Sequence, residues 1–398
     1  MWYDRRLIQR RMYKMKKLAI IGASYLQNPL ILKAKEMGLE THVFAWAAGD
    51  VGEKTADYFY PISIVEKDQI LEKCKEIGID GICSIASDLA AITVNYVAAK
   101  MGLTGNSLEC THKSTNKHAM REAFQKNGDP SPKSILIHSI ENLQGVKINY
   151  PVIVKPVDRS GSRGTTKVES YEELSTAIQC AEEQGFEKDA LVEEFATGQE
   201  YSVECVSYHG KHHFLAMTKK YTTGAPKFIE TGHIEPAPIS HEKLEEVKYT
   251  VFHALDTLGI QNSASHTELK ISKNGKIAFI EIGGRMGGDC IGSDLVELST
   301  GIDFVAAVIK IALGQEPDLQ PKHPGECAAI RFVFSQDDVD VLQKLKKKNP
   351  QYLLREDVET VHDGAVTDSS TRFGYYLMHA KTCAELEPYL PIQQEDAE

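Results

Sequence analysis

Glu268 and Glu281, on either side of a tight turn, carry the most informative chemistry in this 398-residue chain. In the stretch from His266 to Arg285, HTELKISKNGKIAFIEIGGR, Asn274-Gly275 separates two alternating apolar runs. That is the pattern of a two-residue type I′ hairpin, whose turn positions both need positive φ. Lys273 then pairs with Lys276, and counting outward sets Glu268 opposite Glu281. Period two puts Leu269, Ile271, Ala278, Ile280 and Ile282 on one face. His266, Glu268, Lys270, Phe279 and Glu281 share the other face, with Arg285 joining them if no bulge intervenes. Carboxylates directly opposite, with Cβ atoms about 5 Å apart, repel unless positive charge lies between them. A hard divalent cation supplies that charge: Mg2+, or Mn2+ in its place, takes one or two protein carboxylates and leaves its other positions to phosphates and water. The alternative is a solvated polar face neutralised by Lys270 and water.

Residues 150–168, YPVIVKPVDRSGSRGTTKV, deliver Lys155 from a strand to the edge of a loop. There Ser160, Gly161, Ser162 and Gly164 are small enough for backbone N–H groups and hydroxyls to close around phosphate oxygens. The order G-x-x-x-x-G-K-[ST] is absent, so the standard P-loop is excluded, and a plain hairpin loop is the structural alternative. Residues 190–204, ALVEEFATGQEYSVE, arrange Glu193, Glu194, Phe195, Glu200 and Glu204 around two strands joined at Gly198. Backbone groups there could meet a base and a carboxylate could meet ribose hydroxyls. A solvated edge is the alternative, and it is the reading adopted for Glu204.

These residues need a scaffold of two to three domains, which the chain length supplies. Composition is that of a globular protein, with 42% hydrophobic and 25% charged residues. A net charge of -11 argues against a nucleic-acid backbone as partner. The eight cysteines show no C-x-x-C spacing and read as reduced, mostly buried side chains in a cytoplasmic protein. The longest apolar candidate, Phe304 to Leu313, is too short for a bilayer span and carries Lys310. Residues 1–16 read as a basic extension, with Met15 as an alternative start.

Residues 17–111 read as an open parallel sheet: strands at Leu18–Ile21, Thr41–Trp46 and Ile79–Ile85, and a helix from Asp88 to Lys100. The turn after the first strand, G-A-S-Y-L-Q, is not G-x-G-x-x-G, so a nicotinamide site gets little support. From 112 to 325 the pattern is α+β and hairpin-rich, opening on a helix capped at Ser114 or Thr115, with a hairpin turning at His209-Gly210. Residues 326–398 form a small α+β unit. The fold class is therefore mixed α/β and α+β.

The order of the motifs is more specific than any one of them. Asn116-Lys117 opens a helix, VIVKP precedes the Gly/Ser-rich loop, EEFATGQEYSVE follows, and E-L-K faces E-I-G-G-R across the hairpin. This order resembles the ATP-grasp superfamily, and the three-part layout resembles its carboxylate-amine ligase branch, including L-amino-acid ligases and carbamoyl-phosphate synthase large-subunit-like proteins. The resemblance implies a Rossmann-like N-terminal domain, an ATP-grasp domain and a small C-terminal domain. It also implies a reaction in which ATP phosphorylates a carboxylate and an amine attacks the acyl phosphate. By that likeness Lys117 and Lys155 contact phosphates and Ser160 to Gly164 form a lid. Glu193 to Phe195 hold adenine, Glu200 meets ribose, Glu268 and Glu281 hold Mg2+, and Arg285 faces the acyl phosphate. Glu230, His233, His266 and Arg372 are the candidates for substrate contact, with structural histidines and an ion pair inside the small unit as the alternatives. Gly283 departs from the E-x-N-x-R pattern of many members, which puts a second metal ion in question. Small-molecule acid and amine substrates, no nucleic acid or membrane partner and a homodimer complete the expectation. The competing readings are a purine-pathway or carboxylase-type enzyme, and a nucleotide-binding protein without turnover.

Overall fold

The computed structural model describes residues 15–392 apart from 144, 323, 324, 363 and 365, so most of the basic extension lies outside the described residues. Lys17–Ile21 (β1) is a nearly continuous buried apolar run, as a strand covered on both faces requires. It lies at the centre of a parallel sheet with Glu40–Phe44 (β2), Tyr58–Tyr60 (β3) and Gly81–Cys83 (β4), in the order β3-β2-β1-β4. Order reverses beside β1, so the loops after β1 and β4 open onto one crevice, where open α/β sheets place their ligands. The helix Asp88–Met101 starts at that crevice. Ser87 caps it by accepting from the Ala90 N–H at 3.2 Å, and Gly102 ends it at φ 67.

A second, antiparallel sheet contains Ser134–Ile137 (β5), Val152–Pro156 (β6), Thr166–Val168 (β7) and Ala190–Glu194 (β8), in the order β5-β8-β6-β7. The third sheet has eight strands: Gln199–Tyr208 (β9), Lys211–Thr222 (β10), Glu230–Glu235 (β11), Ser263–Ile271 (β12), Ile277–Gly283 (β13), Cys327–Phe332 (β14), Leu353–Val358 (β15) and Gly374–Ala380 (β16). Their order, β13-β12-β9-β10-β11-β14-β16-β15, carries hydrogen bonding continuously across residue 325 through the β11–β14 pair. The N-cap expected at Ser114 or Thr115 is instead Asn116, whose side chain accepts from the Ala119 N–H. Residues Leu108–Thr115 form a separate preceding helix.

Two further expectations are corrected. Cys327 and Cys383 form a disulfide between β14 and the last α-helix, so not all cysteines are reduced. Of the six free ones, only Cys180 is exposed. The β12–β13 connection is not a type I′ turn. Gly275 has positive φ but Asn274 does not, and Ser272 and Lys276 close a three-residue loop through Ser272 N–H to Lys276 O at 3.0 Å. Three-residue loops of this kind keep one left-handed glycine. Pairing therefore runs one residue out of step near the turn, and a bulge at Ile280 restores it, so that Glu268 does face Glu281 while Leu269 faces Phe279. Between turn and bulge the faces are exchanged relative to expectation. Phe279 is fully buried with Leu269 and Ile277 against the helix His241–Leu258, and Ala278 lies on the polar side.

Candidate active site

The polar face of the large sheet gathers acids around buried lysines. Lys220 on β10 is only 2% exposed, and its ammonium lies 2.6 Å from Glu268, 2.9 Å from Glu200 and 3.5 Å from Glu230. Burial would push the Lys220 pKa down, but the three carboxylates outweigh it and hold it well above its ordinary value. Glu281 has its own counter-charge: Lys117 Nζ donates to it at 2.8 Å and to Arg159 O at 2.7 Å. Lys220 and Lys117 thus offset the repulsion between the facing glutamates, whereas the ammonium of Lys270 stands 5.2 Å over Phe195 and 5.5 Å over Phe228.

Three carboxylates around one ammonium leave surplus negative charge, and the side chains of Glu268 and Glu281 keep 23% and 18% exposure. Among the described residues no group of three or more His, Cys, Asp or Glu is arranged to hold a metal ion by itself. A pair of accessible carboxylates fits Mg2+, which leaves several positions to substrate phosphates and water. At Gly283 a Cβ would stand 2.8 Å from Asp88 Oδ1 and 3.2 Å from Arg285 Cζ, so the absence of a side chain makes room for an ion pair. In that pair Arg285 Nε and Nη2 donate to the two oxygens of Asp88 at 2.7 and 2.8 Å. Burial opposes charge on Arg285, yet the Asp88 carboxylate outweighs it and raises the guanidinium pKa further. Asp88 was identified only as a helix start. An acid opening a helix at a topological switch point was the available signal.

Lys155 and Glu193 lie together inside the second sheet. Lys155 Nζ is 2.7 Å from Glu193 Oε2, and Arg121 Nε is 2.9 Å from Glu193 Oε1. Burial pushes the Lys155 pKa down despite Glu193, while Glu193 stays below its ordinary value because Arg121 and Lys155 outweigh its own burial. Glu193 pairs with β5 on one side and β6 on the other, and the Glu194 N–H donates to Lys133 O at 3.0 Å. Free backbone therefore begins at the end of β8. There Phe195 is surrounded by Lys167 at 4.7 Å, Lys270, and the ring of Phe228 at 6.0 Å, a cation and aromatic box that the sequence reading missed. The loop with Ser160, Gly161, Ser162 and Gly164 connects β6 to β7. Its last three small residues have positive φ, Ser160 and Gly161 are exposed, and the loop meets Lys117 through Arg159 O.

His266 is sandwiched between Glu204, which its Nδ1 contacts, and Glu268, 3.3 Å from Nε2. Burial would lower its pKa, but the two carboxylates raise it to about 9, so the ring is an imidazolium at neutral pH. Glu204 is fully buried and also accepts from the Gly287 N–H at 3.1 Å, which corrects its reading as a solvated edge. Glu230 accepts from Ser369 Oγ at 3.0 Å. Arg372 pairs with Asp289, across from its own segment rather than inside the small unit, and His233 is buried beside Asp289 with its Nε2 at 3.9 Å. Every sequence-selected site side chain except those of the Ser160–Gly164 loop, Glu194, Phe195 and His233, whose ring nitrogens have no hydrogen-bond partner among the described residues, is held in one of these charge clusters.

Residues 148–294 match the family model of the ATP-grasp domain. The alanine–anticapsin ligase of Bacillus subtilis (strain 168) is 25% identical over 359 residues, covering 79% of this chain and 75% of that protein. The crystal structure of an L-amino acid ligase from Bacillus licheniformis superposes with a TM-score of 0.79 at 24% identity, over 94% of this chain and 95% of that one. An ADP complex of N5-carboxyaminoimidazole synthetase from Staphylococcus aureus shares the fold alone, with a TM-score of 0.75, 15% identity and coverage of 94% and 95%. Among the described residues no helix is long and apolar enough to cross a membrane. The matched segment contains Lys155, the loop from Ser160 to Gly164, residues 190–204 and the Glu268–Glu281 hairpin, so these lie in an ATP-grasp domain, and the relatives and solved structures to which the chain is similar include ligases that act on amino acids.

Proposed function

We propose that the protein uses Mg·ATP to activate the carboxylate of an amino acid as an acyl phosphate and joins it to the amine of a second amino acid. The observation that carries this reading is Glu268 facing Glu281, each held by a lysine, with Arg285 just beyond β13. The similarity to an alanine–anticapsin ligase and to an L-amino acid ligase supports an amino-acid substrate. Glu268 and Glu281 would hold the Mg2+, whose charge screens the phosphates during transfer.

The chain's own residues supply the rest. Lys117 and Lys155 bring positive charge to the phosphates. Lys117 is tied to Arg159, so it couples phosphate binding to closure of the loop over Ser160 to Gly164. Backbone from Glu194 onward meets the base, with Phe195 and its flanking lysines as the wall, and Glu200 meets the ribose. Arg285, oriented by Asp88, faces the charge that gathers on the acyl phosphate, and closure excludes the water that would hydrolyse it. Glu230, His233, His266 and Arg372 line the substrate side.

The test is phosphate release on mixing the protein, Mg·ATP and pairs of amino acids, with the joined product identified by mass spectrometry. Release that depends on both amino acids supports the reading. Release that depends on bicarbonate or on a ribonucleotide amine assigns the carboxylase or purine-pathway chemistry instead.

A further inference from the structure

His266 stands on the substrate side of the large sheet, yet neither of its ring nitrogens is left for a substrate. Nδ1 contacts Glu204 Oε1, and Nε2 lies 3.3 Å from Glu268 Oε1. Strand register explains how one ring meets both acids. His266 on β12 pairs directly with Glu204 on β9, and Glu268 follows two positions later on the same face. The ring therefore reaches one carboxylate across the pair and the other along its own strand.

Glu204 is the fixed end of this chain of contacts. It is fully buried, and its second oxygen accepts from the Gly287 N–H at 3.1 Å. The loop that carries Gly287 is itself pinned: Met286 O accepts from the Ala86 N–H at 3.1 Å, and Arg285 is paired with Asp88. Glu268 is the adjustable end, with 23% of its side chain exposed. Ser202, the residue opposite it on β9, has a buried hydroxyl without a partner among the described residues, so Glu268 is not supported from directly across. Its holds are Lys220 Nζ at 2.6 Å and His266 Nε2 at 3.3 Å, and both converge on Oε1. Two donors on one oxygen fix the plane of a carboxylate, and with it the direction of the other oxygen.

We infer that Glu204 and His266 are positioning residues for Glu268: the buried acid sets the tilt of the imidazole ring, and the ring sets the direction in which the Glu268 carboxylate faces a divalent cation. This rests on the proposed Mg2+ role of Glu268 in the ligase reaction, and extends it to two residues whose own polar atoms are already engaged. Stability alone does not account for the chain of contacts, because replacing a buried ion pair by apolar groups of similar volume is often neutral or stabilising. Partners that orient the ligands of a metal are instead worth about 10–100-fold in metal affinity or activity.

The experiment measures Mn2+ uptake by electron paramagnetic resonance in the presence of ADP, for wild type, Glu204→Gln, His266→Gln and the double variant. Glutamine at 204 keeps the shape and one acceptor. Glutamine at 266 keeps a donor near the position of Nε2 and gives up the link to Glu204. Each single variant is expected to weaken Mn2+ binding by about 10–100-fold, while ADP affinity measured in EDTA stays within a few-fold of wild type. Because Glu204 works through His266, the double variant is expected to lose no more than the weaker of the two single variants, rather than the product of both losses. Phosphate release with an accepted amino-acid pair is expected to split in the same way. In Glu204→Gln the KM for Mg2+ rises by the factor seen with Mn2+, and kcat at saturating Mg2+ stays within a few-fold. A lower melting temperature with unchanged Mn2+ affinity in both single variants would make the contacts purely structural and overturn the inference, as would losses that multiply in the double variant. A wild type that takes up no Mn2+ with ADP would remove the metal role of Glu268, and the positioning role with it. The expected Mn2+ losses in a protein that releases no phosphate with any amino-acid pair would overturn the ligase reading and leave the positioning role standing.

Discussion

Glu281 illustrates how one side chain can satisfy two states of a site. It is paired with Lys117 at 2.8 Å, yet its carboxylate remains partly exposed beside Glu268. Glu281→Ala should abolish phosphate release while leaving the fold intact, because Lys117 keeps its bond to Arg159 O. Circular dichroism and a phosphate assay check this, and turnover within a few-fold of wild type would remove the metal assignment. Gly283 is the complementary case. Restoring an amide by Gly283→Asn puts a Cβ 2.8 Å from Asp88 Oδ1, so the Asp88–Arg285 pair must shift. The expected outcome is a fall in kcat of about 100-fold, the order seen when a positioned electrostatic donor is lost, with KM for ATP within a few-fold. A variant with wild-type kcat would show that Arg285 does not need Asp88 to orient it.

At the level of elements, the polar face works as a charge lattice spread over β9, β10, β11, β12 and β13. Lys220 from β10 is its hub, with Glu200, Glu230 and Glu268 around it. Removing one partner from a buried ion cluster commonly costs about 3–5 kcal/mol because the remaining charges lose compensation. Lys220→Met should therefore lower the melting temperature sharply. Because it leaves uncompensated carboxylates, added Mg2+ should recover more of that loss than it adds to wild type. Thermal melts with and without Mg2+ test this, and equal shifts in both proteins would count against a divalent site on this face. Gly287 shows how tightly the elements close: a Cβ there would stand 2.7 Å from His266 Nδ1 and 2.9 Å from Glu204 Oε1. Gly287→Ala should destabilise by about 1–3 kcal/mol, the usual cost of overpacking, readable from urea midpoints.

Across the whole molecule, buried titrating groups set the pH range of stability. Glu235 is fully buried and accepts from Thr218 and Ser299; burial, outweighing those bonds, raises its pKa from 4.5 to about 7. The folded state therefore prefers the protonated acid, so the stability it contributes is present below its unfolded pKa and lost as pH rises through about 7. His266, raised from 6.5 to about 9, acts in the same direction, its contribution being complete below 6.5 and lost as pH rises through about 9. Glu268 acts in the opposite direction: its pKa is held well below 4.5 because Lys220 and His266 outweigh burial, so its contribution is lost on acidification. Nucleotide-free protein should thus be most stable on the mildly acidic side of neutrality. Glu235→Gln removes one alkaline term. At about 1.4 kcal/mol per pKa unit it should stabilise the protein at pH 9 by up to about 3 kcal/mol, with little gain at pH 5. Denaturant midpoints at the two pH values decide it, and a variant less stable than wild type at pH 9 would refute the assignment.

Local pattern alone determined the parallel opening sheet and the hairpin of β9 and β10, since strand period and turn residues are properties of neighbouring positions, whereas the expected pairing of Glu268 with Glu281 was met by two offsets that cancel. The turn type was misjudged, and so was the face of Phe279. A second irregularity at Ile280 cancelled the first by the time the chain reached the glutamates, because only the apolar pocket under Phe279 could decide which side was buried. Lys220, Asp88 and Asp289 escaped notice for a different reason: a charged residue shows its partner only when distant strands and loops meet. Asp88 and Arg285 are 197 positions apart, and nothing in the spacing of either announces the other. Residue types and their order were enough for the resemblance to ATP-grasp ligases and for placing two acids on facing strands. Tertiary structure decided which charges neutralise which, because burial makes an ion depend on whatever the fold places against it.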